Sequence, residues 1–209
     1  MQTVELISKA LDLGAIQVPE EIAALVELVK SHASRNIMEI GSEAGGTFYL
    51  WCRLTPLGGI KISLDLPSGD SGSGKFRDPT ALQARATKMR SWSANVHVVT
   101  GDSHEQRSWR AVDDILGRGR EKLDFLFIDG DHSYEGVKLD FEDYRGFVRP
   151  GGLIAFHDIK DTEYHRKRGC FVAKFWQQLI SDPLPPDKDQ LFWEFTHGPD
   201  WGGIGVVRV

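Results

Sequence analysis

The chain has 209 residues, 41% hydrophobic and 26% charged, with a formal net charge of −5. That length buries one sizeable core as a single domain, and the acidic balance excludes the clustered Lys and Arg of a nucleic-acid footprint. No apolar run approaches the ~20 residues of a membrane span, MQTVELISKALDLG lacks the pattern of a signal peptide, and Cys52 and Cys170, with no CxxC spacing, suit a reducing cytoplasm.

Helices and strands alternate along the chain. In VPEEIAALVELVKSHASR, Pro19 suits a first helical position and Glu20 and Glu21 favour the positive end of the dipole. Ile22, Leu25, Val26 and Val29 fall on one face of that helix. It belongs to an N-terminal helical extension, 1–35, of a single domain spanning 1–209. The strand NIMEIG (36–41) leads through a glycine-rich turn to the helix TFYLWCRLT. The strand GIKISLDL (59–66) leads to PSGDSGSGKFRD, whose glycines and serines predict a mobile loop, and then to the helix PTALQARATKMRSW. Strands over 96–102, 123–129 and 151–158 are each followed by a helix: one near 105–117, YEGVKLDFEDYRGFV, and, beyond a polar loop, CFVAKFWQQLI. LFWEFTH and IGVVRV close the chain around the short turn GPDWGG. Five apolar strands, each followed by a helix, make a doubly wound α/β fold with a mostly parallel sheet covered on both faces. The last two have only a turn between them and predict an antiparallel terminal hairpin, making a seven-stranded sheet.

In open α/β sheets ligands bind beyond the carboxyl ends of the strands, where strand order reverses. The residues there are Glu39, Gly41, Ser42, Gly45 and Thr47, then Asp65, then Asp102 and Ser103, then Asp129, Asp131 and His132, then His157 and Asp158. An acid stands at every strand end. The acidic turn EIGSEAGG would repel a pyrophosphate and welcome a cofactor with cationic groups. Its glycines admit close backbone approach. Asp65 stands where a carboxylate accepts both ribose hydroxyls, and Asp102 where it can accept the exocyclic amine of a base. Each has a plainer reading alone, as a structural turn or a helix cap. Together they describe a nucleoside with a positively charged appendage and no phosphate.

On EIGSEAGGT, the acid in SLDL, the GDS triplet and the terminal hairpin, the chain resembles the class I S-adenosylmethionine-dependent methyltransferases. On FIDGDHSYEGVKLDFEDYRGFVRPGGLIAFHD it is similar to small bacterial enzymes grouped with cephalosporin-hydroxylase-type and macrolide-sugar O-methyltransferases, and more distantly to catechol O-methyltransferase. The resemblance implies that Glu39, Gly41, Ser42, Gly45, Thr47, Asp65, Asp102, Ser103 and Asp129 line the S-adenosylmethionine site. It implies a divalent metal, usually magnesium, on Asp129, His157 and Asp158. Asp131 matches the general base of the sugar-modifying relatives, with His132 as the fallback. The relatives mostly carry an acid where this chain has His157, and imidazole is a poorer ligand for the hard magnesium ion.

The expected activity is methyl transfer to a hydroxyl of a small molecule such as a sugar or natural product, with no nucleic-acid or membrane partner and a homo-oligomer left open. Plainer roles stand beside the catalytic ones: Asp131 as a helix cap, His157 as a core histidine, Asp158 as a turn residue, and His165 to Arg168 as a solvated basic run. An NAD-dependent oxidoreductase would require GxGxxG and no terminal hairpin. A cofactor-binding protein without turnover is the remaining alternative.

Overall fold

The structure, a computed structural model, describes residues 2–67, 79–182 and 190–209. The glycine- and serine-rich loop expected over 67–78 lies, from residue 68 onward, outside the described residues. In chain order the elements are α1 (Thr3–Asp12), α2 (Pro19–Ser31), β1 (Ile37–Ile40), α3 (Gly46–Leu54), β2 (Lys61–Asp65), α4 (Pro79–Arg90), β3 (Val96–Thr100) and α5 (Gln106–Ile115). They continue with β4 (Leu123–Ile128), α6 (Tyr134–Tyr144), a 3-10 turn (Arg145–Phe147), β5 (Val148–His157), α7 (Glu163–Lys167), α8 (Val172–Ser181), β6 (Phe192–Phe195) and β7 (Ile204–Arg208).

Local chemistry accounts for the helix ends. Pro19 opens α2 with Glu20 and Glu21 in its first turn. Ser133 caps α6, its hydroxyl accepting from Gly136 N–H at 3.0 Å. One element departs from expectation: α7 forms inside the polar stretch after β5, because the Thr162 side chain caps it. Cys170 lies just before α8 rather than within it.

The sheet has seven strands in the order β3-β2-β1-β4-β5-β7-β6. The first five pair in parallel, while β7 runs antiparallel to both β5 and β6. The terminal hairpin therefore docks β7 against β5 and leaves β6 at the edge. Strand order reverses between β1 and β4, which places the crevice there.

Alternation along each strand divides the core into two layers. Met38, Ile40, Leu126, Ile128, Ile154 and Phe156 join α5, α6 and α8 on one side. Ile37, Phe125, Phe127, Leu153 and Ala155 join α1, α2 and α3 on the other. Phe125 and Phe127 meet Trp51 edge-on at 5.0 and 5.6 Å, contacts worth about 0.5–1.5 kcal/mol each beyond the area they bury. The alternation also aims the strand ends. Glu39, Asp129 and His157 continue the α1–α3 side, and one step beyond the register Phe127↔Ala155 and Ile128↔Phe156, Asp129 comes opposite His157.

Candidate functional site

β1 ends at Gly41, whose φ is +86°, and a Cβ there would lie 2.0 Å from the Asp129 carbonyl oxygen. Only glycine lets the ends of β1 and β4 come this close. Gly45, at φ +87°, caps α3, and a Cβ on it would run into Met89 and Trp92. Ser42 and Thr47 are buried, and the Ser42 hydroxyl accepts from Ser63 Oγ at 2.9 Å. Glu39 is buried as well. Burial first, then the charges of Asp129 and Asp65, push its carboxyl well above the usual range, and its Oε2 has no hydrogen-bond partner.

Asp65 is not open as expected. Arg85 of α4 donates to its Oδ2 at 2.6 Å and to the Glu43 carbonyl at 2.9 Å, with both charged side chains buried. Burial raises the Asp65 pKa against the pull of that guanidinium. Arg85 and the backbone N–H groups of Glu43 and Leu66 all pull that carboxylate toward its charged form.

After β3, Asp102 Oδ1 accepts from His104 N–H at 2.9 Å, and the Ser103 carbonyl accepts from the Tyr144 hydroxyl at 2.8 Å. His104 fixes this loop to α6, with Nε2 3.2 Å from Asp140 Oδ1. Asp140, through a hydrogen bond and its charge, lifts the His104 pKa to about 9 despite partial burial.

A denser cluster crowns β4 and β5. His157 Nδ1 lies 3.2 Å from Asp129 Oδ1 and 3.4 Å from Asp158 Oδ1. His132 approaches the same acids, Nε2 3.3 Å from Asp129 Oδ1 and Nδ1 3.5 Å from Asp158 Oδ2. His165 Nε2 adds a third imidazole 3.2 Å from Asp158 Oδ1. Asp158 holds φ +64°, a strained conformation for a residue with a Cβ. Burial works against the charged form of His157, but Asp129 and Asp158 outweigh it and hold the imidazole well above its ordinary pKa. Burial likewise opposes ionisation of both aspartates, and the histidines outweigh it, drawing both pKa values down.

Asp131 stands apart. It is exposed, and its Oδ1 accepts from Ser133 N–H at 2.8 Å, so in this structure it builds the turn into α6. Of the two expected base candidates, only His132 faces the acid pair. Three other residues escape a sequence-level reading. Gln17, from the segment before α2, donates from Nε2 to Asp129 Oδ2 at 3.0 Å, while its buried Oε1 lacks a partner. Arg85 sits on Asp65, and His165 turns inward while Arg166, Lys167 and Arg168 stay exposed. Gln17 and Arg85 carry no local signal, since their partners lie 112 and 20 positions away, and His165 is hidden in a basic run although Asp158 is only 7 positions back.

Together the crevice offers glycine-walled access, a buried acid (Glu39) and a buried amide (Gln17) with unfilled hydrogen-bonding capacity, and a carboxylate–imidazole cluster. Asp129, His157 and Asp158 bring their ligand atoms within 4.8 Å of one another, a grouping able to hold a metal ion.

A family profile described as a methyltransferase domain matches residues 38–159, the span from β1 to the end of the cluster. An uncharacterised protein, y4gI, of Sinorhizobium fredii (strain NBRC 101917 / NGR234) is 26% identical over 175 residues, 79% of this chain and 18% of that protein. The chain spans less than half the length of the curated relatives it matches. Among solved structures, an O-methyltransferase from Bacillus cereus in complex with SAH superposes with TM-score 0.63 at 20% identity, covering 99% of this chain and 90% of its own. The O-methyltransferase TomG from Streptomyces achromogenes, involved in tomaymycin synthesis and in complex with SAM, gives TM-score 0.62 at 17% identity, covering 100% and 90%. At these identities the structural likeness establishes the fold.

Proposed function

The chain belongs to the methyltransferase-domain family, and on that premise we propose that it is an S-adenosylmethionine-dependent O-methyltransferase acting on a hydroxyl of a small molecule such as a sugar or natural product. The observation that carries this reading is the crevice between β1 and β4, where Glu39 and Gln17 are buried beside the half-buried Asp129, and Glu39 Oε2 and Gln17 Oε1 have no partner. Unfilled acceptors of this kind suit a cationic ligand. The complexes of the Bacillus and Streptomyces O-methyltransferases with SAH and SAM support the same ligand and the same acceptor atom.

When bound, the cofactor supplies a methyl group on a sulfonium, ready for in-line displacement. The chain's own part is to bind, orient and accept a proton. Gly41 and Gly45 admit close approach of the cofactor, the Asp65 carboxylate accepts from the ribose, and Asp102 accepts from the base. Glu39 and Asp129 face the cationic amino-acid end.

The cluster also fits a divalent ion, since the carboxylates of half-buried Asp129 and buried Asp158 converge with an imidazole nitrogen at ligand-to-ligand distances. Asp129, His157 and Asp158 would hold it, and such an ion lowers the pKa of a hydroxyl beside it. His132, partly exposed and aimed at both carboxylates, is placed to take the acceptor's proton. Free, buried Cys52 and Cys170 accord with a cytoplasmic setting, and among the described residues no helix is long and apolar enough to cross a membrane.

Calorimetry with S-adenosylmethionine tests the pocket, and saturable binding is expected. For the base, His132→Ala is expected to lower turnover about 10²–10³-fold with cofactor affinity retained. Asp131→Ala is expected to cost about 1 kcal/mol of stability through its turn. The opposite pattern moves the base to Asp131, and full turnover in both variants rejects both.

A further inference from the structure

We propose that the ion held at the end of β4 and β5 is a borderline transition ion of the zinc, cobalt or iron(II) class rather than magnesium; the proposal rests on the metal-assisted reading above. Magnesium takes hard oxygen donors in near-ideal octahedral geometry, whereas imidazole and thiolate suit zinc and its neighbours. Here one of the three converging atoms is already a nitrogen, His157 Nδ1.

The spacing points the same way. Bonds of 2.0–2.1 Å put neighbouring ligands about 3.3–3.5 Å apart on a tetrahedral ion, against about 2.9 Å around octahedral magnesium. His157 Nδ1 is 3.2 Å from Asp129 Oδ1 and 3.4 Å from Asp158 Oδ1. The site also limits the number of oxygens on offer. Asp129 Oδ2 is tied to Gln17 Nε2 at 3.0 Å, so Asp129 presents a single oxygen. Asp158 Oδ2 turns instead toward His132, and His132, Asp158 and Cys170 form a second close group that shares this aspartate. His165 Nε2 stands 3.2 Å from Asp158 Oδ1, its other nitrogen 3.1 Å from Thr162 Oγ1. Among the described residues neither group contains a third carboxylate. Three protein ligands with nitrogen and sulfur close by describe a low-coordinate site with one position open for water or an acceptor oxygen.

The test reads the metal itself. Apo protein is loaded from a mixture of zinc and millimolar magnesium, dialysed against magnesium, and examined by metal analysis and zinc K-edge X-ray absorption. The expected result is retained zinc in a four-coordinate shell showing imidazole scattering. His157→Asp, which restores an oxygen donor, is expected to weaken zinc about 10–100-fold and to remove that scattering. The wild-type spectrum needs no variant, so a misfolded H157D leaves the test intact. A six-oxygen shell, or zinc displaced by magnesium, overturns the proposal. So does protein that retains no ion while still binding S-adenosylmethionine, for then the histidines alone balance the two aspartates. Loss of S-adenosylmethionine binding in a protein that keeps its zinc would strike the methyltransfer reading instead and leave the ion standing.

Discussion

The two flanks of the crevice handle the same electrostatic problem in opposite ways. At the ends of β2 and β3, each acid has its own protein partner: Asp65 a buried guanidinium, Asp102 a backbone N–H. At the ends of β4 and β5, two aspartates share the imidazoles of His132 and His157, with His165 beside Asp158. A paired acid is a fixed surface, suited to reading the hydroxyls and amines of a nucleoside. Shared acids and titratable partners form a site whose charge can be redistributed when a cation or an acceptor arrives. The division suggests that the first flank governs affinity and the second governs turnover.

Four experiments would break or sharpen that contrast. The largest effect is expected from Asp158→Asn, which should lower turnover on the order of 10³-fold with S-adenosylmethionine affinity little changed. Asp65→Asn should do the reverse, weakening the cofactor about 10-fold while saturated turnover holds. Steady-state kinetics beside calorimetry measures both, and a swap of the two outcomes ends the division of labour. Next comes Arg85→Met, which strands Asp65 in a buried position and should cost about 3–5 kcal/mol in urea unfolding. A loss under 1 kcal/mol would mean that the pair is not buried in solution. Gly41→Ala should follow at about 2–3 kcal/mol from left-handed strain and overlap, with a lower Tm and weaker cofactor binding, because the junction of the two flanks opens.

The smallest effect is a pH dependence outside the cluster. Asp140 raises the His104 pKa from 6.5 to about 9, so the stabilisation is complete below about 6.5 and is lost as pH rises through about 9. Since His104 is partly exposed, the change should be only about 1 kcal/mol. It should disappear in Asp140→Asn when unfolding is followed across that range.

Much of this protein is legible one segment at a time. Alternating apolar strands and one-faced helices specify a doubly wound sheet, and an acid or glycine just past each strand marks the crevice. The terminal hairpin follows from a turn too short for a helix. His165 shows where that reading stops, since its basic run looks solvated until α7 rolls the histidine inward. Asp131 shows the converse: a residue promising as a base serves as a turn, because Ser133 N–H lies within its own reach.

The sequence by itself determined the order of elements, the layers and the acids that top the strands, because backbone preference and burial pattern are properties of neighbouring residues. Only the tertiary structure decided which acids are paired with cations and which are shared. Gln17 and Asp129 are 112 positions apart, and strand order and register, not local preference, bring such groups within a hydrogen bond of each other.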